Sequence, residues 1–177
     1  MRIKMRRKGG GQLITKHTSI QYINPTDVDG RDMYELVKSS TLDSNSPYCY
    51  IMMSKFFKKT CIVAKAKETL AGFVTGFVQP DRQDTVFVWQ IGVDQRYRKQ
   101  GIATKMLKAL IESEGCQHVS YIEATVTPSN YASKSLFTGF AEKMNTNYTV
   151  HRCFPKEWFP DDSHEQELLY RIGPIKK

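Results

Sequence analysis

A basic turn, Arg98-Lys99-Gln100-Gly101-Ile102-Ala103-Thr104, is the stretch whose residue types and spacing most directly suggest chemistry. It follows an apolar, β-branched run at 86–93 that reads as a buried strand. It precedes Ile102, Met106, Leu107, Leu110 and Ile111, which recur at helical spacing. Strand, basic turn and helix make an anion cradle, because the first four N–H groups of a helix lack intrahelical partners and the dipole adds about half a positive charge there. Gly101 lets the backbone approach a ligand with no Cβ in the way, and Ala103 keeps the first turn narrow. An ordinary strand-to-helix connection with a solvated charge cluster is the other reading of the same residues.

The elements that must hold this turn can be read outward from it. Residues 19–23 alternate as a first strand, and Asp29 is placed to cap a helix with apolar face Met33, Leu36 and Val37 that ends near Ser39-Ser40. Ser46 as N-cap with Pro47 at the first helical position starts a second helix running to about Phe57. Residues 60–67 and 70–79 form a hairpin, and 80–84 loop into the central strand at 86–93. Gly115 is placed to stop the central helix. Residues 119–126 are a strand, Thr127-Pro128-Ser129-Asn130 open a helix with Ala132, Leu136, Phe137 and Phe140 inward, and 147–153 and 165–172 close the domain as strands. The expected order is β-α-α-β-β-β-α-β-α-β-β.

Length and composition bound the reading. The 177 residues, 40% hydrophobic, suffice for one domain with a full core. The net charge of +8 raises nucleic-acid binding, but Arg2, Lys4, Arg6, Arg7 and Lys8 hold five of the positives, followed by Gly9-Gly10-Gly11. Without them 21 basic and 18 acidic residues remain. Residues 1–16 therefore read as a basic, disordered tail and 17–177 as the single domain, with neither a nucleic-acid nor a membrane partner expected. Cys49, Cys61, Cys116 and Cys153 are widely spaced and read as reduced thiols of a cytoplasmic protein. Neither they nor His17, His118, His151 and His164 show zinc-ligand spacing, so no metal is expected.

The order Arg98-x-x-Gly101-x-Ala103 resembles the Q/R-x-x-G-x-G/A signature of the GNAT superfamily of N-acetyltransferases, and the element order is that of the same fold. The resemblance implies an α/β (α+β) GNAT fold, a mixed sheet of about seven strands splayed at strands 4 and 5 and flanked by about four helices. It implies acetyl-CoA as co-substrate, its pyrophosphate on Arg98, Lys99, Gln100, Gly101, Ile102, Ala103 and Thr104. Matched by position, Ile91 and Val93 pair with the pantetheine arm like an added strand, and the Ile91 N–H polarises the thioester carbonyl. Asn130 and Ser133 match a position that contacts the cofactor arm; a plain helix N-terminus is the other reading.

Longer blocks resemble the L-2,4-diaminobutyrate acetyltransferases of ectoine biosynthesis: residues 42–48, Phe87-Val88-Trp89-Gln90, 125–130 with Ala132-Ser133, Leu136-Phe137, and His164-Glu165-Gln166-Glu167 through Pro174. The implied reaction is acetyl transfer to the γ-amine of diaminobutyrate, and the implied assembly is a homodimer. Such a substrate carries two ammonium groups and one carboxylate, so its pocket needs acceptors and donors. Asp43 can take an ammonium, or be a turn partner; Tyr48 can donate, or be core. Trp89, placed by alternation on one face with Phe87 and Ile91, can wall the pocket, or be core. Glu165 and Glu167, expected to share a face of the last strand, can add acidic character, or line an exposed edge.

The amine, with a pKa of about 10, must lose a proton before it attacks. Many relatives place a glutamate base on the central strand and a tyrosine acid in the helix after the fifth; here Phe87 and Phe137 stand at the matched positions. Direct attack aided by proximity and the Ile91 N–H is expected, with water, Asp43 or Glu123 taking the proton. An acetyltransferase for another small diamine or polyamine, and a non-catalytic acyl-CoA-binding protein, are the alternatives.

Overall fold

The computed structural model describes residues 19–160 and 164–177, and the expected tail lies outside them. Seven strands form one sheet in the order β1-β2-β3-β4-β5-β7-β6. In chain order these are β1 (Ile20–Ile23), α1 (Asp29–Lys38), α2 (Pro47–Phe56), β2 (Ile62–Ala66), β3 (Thr69–Gln79), β4 (Arg82–Val93), α3 (Ile102–Glu112), β5 (Tyr121–Val126), α4 (Tyr131–Lys143), β6 (Tyr148–Phe154) and β7 (Glu167–Ile172). All neighbours are antiparallel except β4 and β5, which α3 connects as a crossover. The expected element order and mixed sheet are present.

Each face of the sheet buries a helix pair, because alternate strand residues point opposite ways. On one side Val86, Val88 and Ile122 pack with Met106, Leu107 and Leu110 of α3 and Phe137 and Phe140 of α4. On the other, Val63 and Phe73 meet Met33, Leu36 and Val37 of α1 and Tyr50 of α2. The helix pair α1/α2 crosses closely: a Cβ on Gly30 would stand 2.7 Å from the Ile51 Cα. No helix among the described residues is long and apolar enough to cross a membrane.

Several local expectations are corrected. The N-cap of α1 is Val28, and Asp29 is the first helical residue. Its carboxylate reaches back to the Thr26 N–H (2.7 Å) and hydroxyl (2.8 Å), and pairs with Lys65 of β2 at 2.6 Å. Ser46 occupies the N-cap of α2 without a side-chain cap bond. The α3 helix ends at Glu112, where the Ser113 hydroxyl donates to Leu110 O (2.6 Å). Gly115 lies beyond, and its role is proximity: a Cβ there would stand 2.6 Å from Lys59 O. Strand β4 starts at Arg82 rather than 86, so a tight turn replaces the expected loop; β7 starts at Glu167 and leaves Glu165 outside it. The four cysteines are free, and burial pushes the Cys61 thiol up to about 12.

Asp29 is 2% exposed. Burial pushes its carboxyl up, but hydrogen bonds from Lys65 and Thr26 outweigh burial and hold it below the usual range. Its contribution to stability is therefore complete above pH about 4, where the unfolded carboxyl is ionised, and is lost as pH falls through the lower folded value. Asp29→Ala strands the Lys65 ammonium and should lower stability by about 3 kcal/mol in urea unfolding at pH 7. A loss under about 0.5 kcal/mol would show that the pair is not coupled to folding.

Candidate active site

Strands β4 and β5 pair only over Thr85 to Phe87 against Tyr121 to Glu123, and then part. On the other edge of β4, Thr75 of β3 faces Gln90 while Gly76 faces Val88, so Trp89 is the extra residue of a β-bulge. A bulge bends its strand and resets side-chain alternation. Val86, Val88 and Ile91 accordingly pack on the α3/α4 side, whereas Phe87 lies against Phe77, 5.5 Å between centroids, and Gln90 meets Tyr50 of α2. The shared face expected for Phe87, Trp89 and Ile91 is thus corrected: the bulge separates Phe87 from Ile91 and leaves Trp89 37% exposed in the opening.

The parted strands enclose a cleft of about 440 Å³ whose lining includes Asp43, Trp89, Ile91, Thr125, Phe137, His164 and Glu167. Past Ile91, Asn130 and Ser133 it continues into a groove of about 410 Å³ that reaches Val93, Arg98 and Ala103. Past Trp89, Thr125, Phe159 and Glu167 it opens into a mostly apolar cavity of about 830 Å³.

At the groove's outer end stands the basic turn. Asp94 caps a 3₁₀ turn by accepting from the Arg96 N–H (2.8 Å), and it pairs with the Arg96 guanidinium at 2.6 Å. That hydrogen-bonded pairing holds the Asp94 carboxyl below the usual range and commits Arg96. Arg98 is oriented by its Nε donating to Val93 O at 3.2 Å. Gly101 is the N-cap of α3 with φ +71°, and nothing stands within 4 Å of where a Cβ would be. An open helix N-terminus flanked by Arg98 and Lys99 fits a diphosphate, with Ile102, Ala103 and Thr104 supplying first-turn N–H groups and Gln100 entering the turn. Asn130 accepts from the Ser133 N–H at 3.0 Å, so it caps α4 and lines the groove at once.

The opposite end is acidic. Burial pushes the Glu167 carboxyl above the usual range, with Asp43 and Glu165 adding repulsion and His164 and Thr125 opposing it. The His164 ring stacks on Phe159 at 3.7 Å, its Nδ1 lies 2.6 Å from Glu165 O, and its Nε2 is 3.9 Å from Glu167. The Ser129 hydroxyl donates to Glu165. Among the described residues no group of three or more His, Cys, Asp or Glu is arranged to hold a metal ion.

A sheet parted at β4/β5 with an anion cradle at the following helix is matched by the model described as the acetyltransferase (GNAT) family, over residues 30–140. The chain belongs to the GNAT acetyltransferase family. An L-2,4-diaminobutyric acid acetyltransferase from Marinococcus halophilus is 56% identical over 159 residues, 90% of this chain and 92% of that protein. One from Halalkalibacterium halodurans is 53% identical over 161 residues, 91% and 85% of the two chains. Diaminobutyrate acetyltransferase EctA from Paenibacillus lautus, solved with L-2,4-diaminobutyric acid and coenzyme A, superposes with TM-score 0.85 at 41% identity, covering 90% of this chain and 98% of that one.

Within this GNAT chain the residues expected from sequence divide. Asp43, Trp89, Ile91 and Glu167 meet in one cleft, with Asn130 and Ser133 beside them. Tyr48 is 69% exposed and takes no part in lining the cleft; Tyr50 is the tyrosine of α2 that turns inward. Glu165 precedes β7 and does not share a strand face with Glu167. Glu123 is fully buried at the parting point, where its carboxylate accepts from Gln79 (2.6 Å), Arg82 (2.8 and 2.7 Å) and Arg171 (2.7 Å). Two guanidiniums and an amide occupy its carboxylate oxygens, which makes it a counter-ion that ties the strands together at the parting point. Sequence reasoning missed His164 and Gln90; His164 stood three residues before Glu167, but a lone histidine in a loop carries no periodicity to flag it.

Gly101→Glu puts a strained φ and a carboxylate at the cradle, so calorimetry should show acetyl-CoA affinity reduced more than tenfold while Tm falls by only a few degrees. Unchanged affinity would remove the turn from the cofactor site.

Proposed function

We propose that this chain transfers the acetyl group of acetyl-CoA to the γ-amine of L-2,4-diaminobutyrate. The observation that carries the reading is the meeting, at the unpaired edge of β4, of a groove leading to an anion cradle with a cleft walled by Trp89, Asp43 and Glu167. The diaminobutyric acid acetyltransferases to which the chain is similar support the same substrate. The γ-acetylated product is the compound cyclised to ectoine in the pathway named above.

Acetyl-CoA supplies an activated acyl carbon. Arg98, Lys99 and the first-turn N–H groups from Gly101 to Thr104 bind its phosphates. Ile91 and Val93 present strand backbone that β5 leaves unpaired, and the Ile91 N–H is assigned the charge that develops on the thioester oxygen. Asp43 and Glu167 accept the substrate's ammonium groups, and the Trp89 ring walls its alkyl chain. Glu167, half-buried and with a carboxyl that burial makes more basic than usual, is assigned the proton that the amine must lose, in preference to Asp43 and Glu123. Tyr48 is left outside the site. The α-amine stands beside the substrate's own carboxylate, so a clamp on that head group leaves the γ-nitrogen to reach the parted strands.

A cytoplasmic homodimer is the assembly we assign. Its support is the edge strand β6, where Tyr148, Val150 and Phe154 are exposed and whose outer edge no strand among the described residues covers. Light scattering at twice the 20.4 kDa chain mass is the corresponding result.

Nuclear magnetic resonance of the product should place the acetyl group on the γ-nitrogen, and ornithine, one methylene longer, should react more slowly. Glu167→Gln should lower kcat roughly a hundredfold and abolish the acid limb of the pH–rate profile, which its raised pKa places above that of an ordinary carboxylate. An α-acetylated product overturns the clamp, and an unaltered acid limb overturns Glu167 as base.

A further inference from the structure

The segment that carries Asp43 has no regular secondary structure, yet it forms one wall of the acceptor cleft. Something outside the segment must hold it. Its ties converge on Gln90 and Gly92 of β4. The Gln90 Nε2 donates to Asp43 O at 2.8 Å, and the Gln90 Oε1 accepts from the Tyr50 hydroxyl at 2.9 Å. The same hydroxyl accepts from the Asn45 N–H at 3.5 Å, the outer limit of a hydrogen bond. Two residues along the strand, Leu42 lies over Gly92 so closely that a Cβ there would stand 2.7 Å from its Cδ1.

We infer that Gln90 and Tyr50 form a latch that sets the position of Asp43, making them specificity-determining positioning residues for the acceptor amine; the inference rests on the assignment of Asp43 to the ammonium. Tyr50 is suited to be the fixed end: it is fully buried, edge-on to Phe73 with centroids 6.1 Å apart, and also against Tyr34. Its ring is held by core packing and only its hydroxyl reaches the segment. Gln90 is suited to be the bridge because the bulge at Trp89 turns it to the α2 face; in unbroken alternation its amide would point away from Tyr50. One amide then satisfies a buried hydroxyl and a loop carbonyl together, so that Trp89, on the bulge, and Asp43, on the latch, are placed by the same three residues of strand. Neither latch side chain lines the groove to Arg98 and Ala103, where the segment enters only through Ser40, Thr41 and Leu42, so acetyl-CoA binding should change little when the latch is removed.

The test is the pair Tyr50→Phe and Gln90→Met, made together. The double change keeps both volumes and removes the buried hydroxyl and its amide partner together, while the Asp43 carbonyl and Asn45 N–H it releases belong to exposed and half-buried residues that water can reach, so Tm should stay within a few degrees. KM for diaminobutyrate should rise roughly tenfold, while kcat at saturating amine and KM for acetyl-CoA stay within about twofold. A space-filling role would leave the amine KM unmoved, and that result overturns the latch. In an Asp43→Ala background the same pair should add nothing further to KM, because it acts through the residue already removed. A loss there as large as in the parent shows independent action and overturns the latch while leaving Asp43 in the site. An unaltered amine KM in Asp43→Ala alone overturns the acceptor-site assignment and the latch with it.

Discussion

One extra residue in β4 governs the site. With Trp89 bulged out of the ladder to β3, the strand bends and β5 stops pairing after Phe87. A parallel pair normally satisfies its backbone groups along its full length, so early parting leaves polar backbone that a ligand can take up. The wedge-shaped opening also lets a groove from one side of the sheet meet a cavity from the other, with Trp89 at the junction. The same bulge turns Ile91 toward the α3/α4 face and Gln90 toward Tyr50. Cradle, cleft and Asp43 segment are therefore placed relative to one another by a single irregularity.

Two carboxylates on neighbouring strands near this opening have opposite environments. Glu123 is enclosed by Arg82, Arg171 and Gln79, and its charge is neutralised where the strands part. Arg171 is itself held over the Tyr121 ring, 3.7 Å from the centroid, so the network ties β4, β5 and β7 together at the base of the wedge. Glu167 is half-buried and faces Asp43 and Glu165, with His164 rather than an arginine beside it among the described residues. Desolvation outweighs the opposing charge of His164 and raises its proton affinity, which suits it to an ammonium or its proton. The cavity is acidic at one end and electrically balanced at the other.

Much of the architecture was legible because it rests on local signals. Apolar periodicity in α3, the Ser46-Pro47 start of α2, and the β-branched runs of β2 to β5 each report on burial or backbone preference within a few residues. The element order followed, and with the basic turn it pointed to the correct family. Three of the errors share one cause: Asp29, Gly115 and Glu123 each have a partner distant in sequence, Lys65, Lys59 and Arg171 respectively. A cap, a helix stop and a free base were the local interpretations of residues whose partners lay elsewhere.

The sequence by itself determined the strand-turn-helix cradle, because glycine at the left-handed Gly101 and the apolar spacing of α3 are properties of contiguous residues. It also determined that Asp43, Trp89 and Glu167 were candidates, since residue type decides what a side chain can bind. Only the tertiary structure decided which candidates meet. A strand's alternation assumes an unbroken ladder, and the bulge that breaks it at Trp89 is defined by register against β3, more than ten residues away. Tyr48 and Tyr50 are equally tyrosines of one helix, and only packing against Phe73 and Gln90 turns the second inward. Glu123 and Glu167 are equally carboxylates on strands, and only the arginines brought beside the first make it a fixed counter-ion and leave the second available, because charge compensation depends on distance in space and not along the chain.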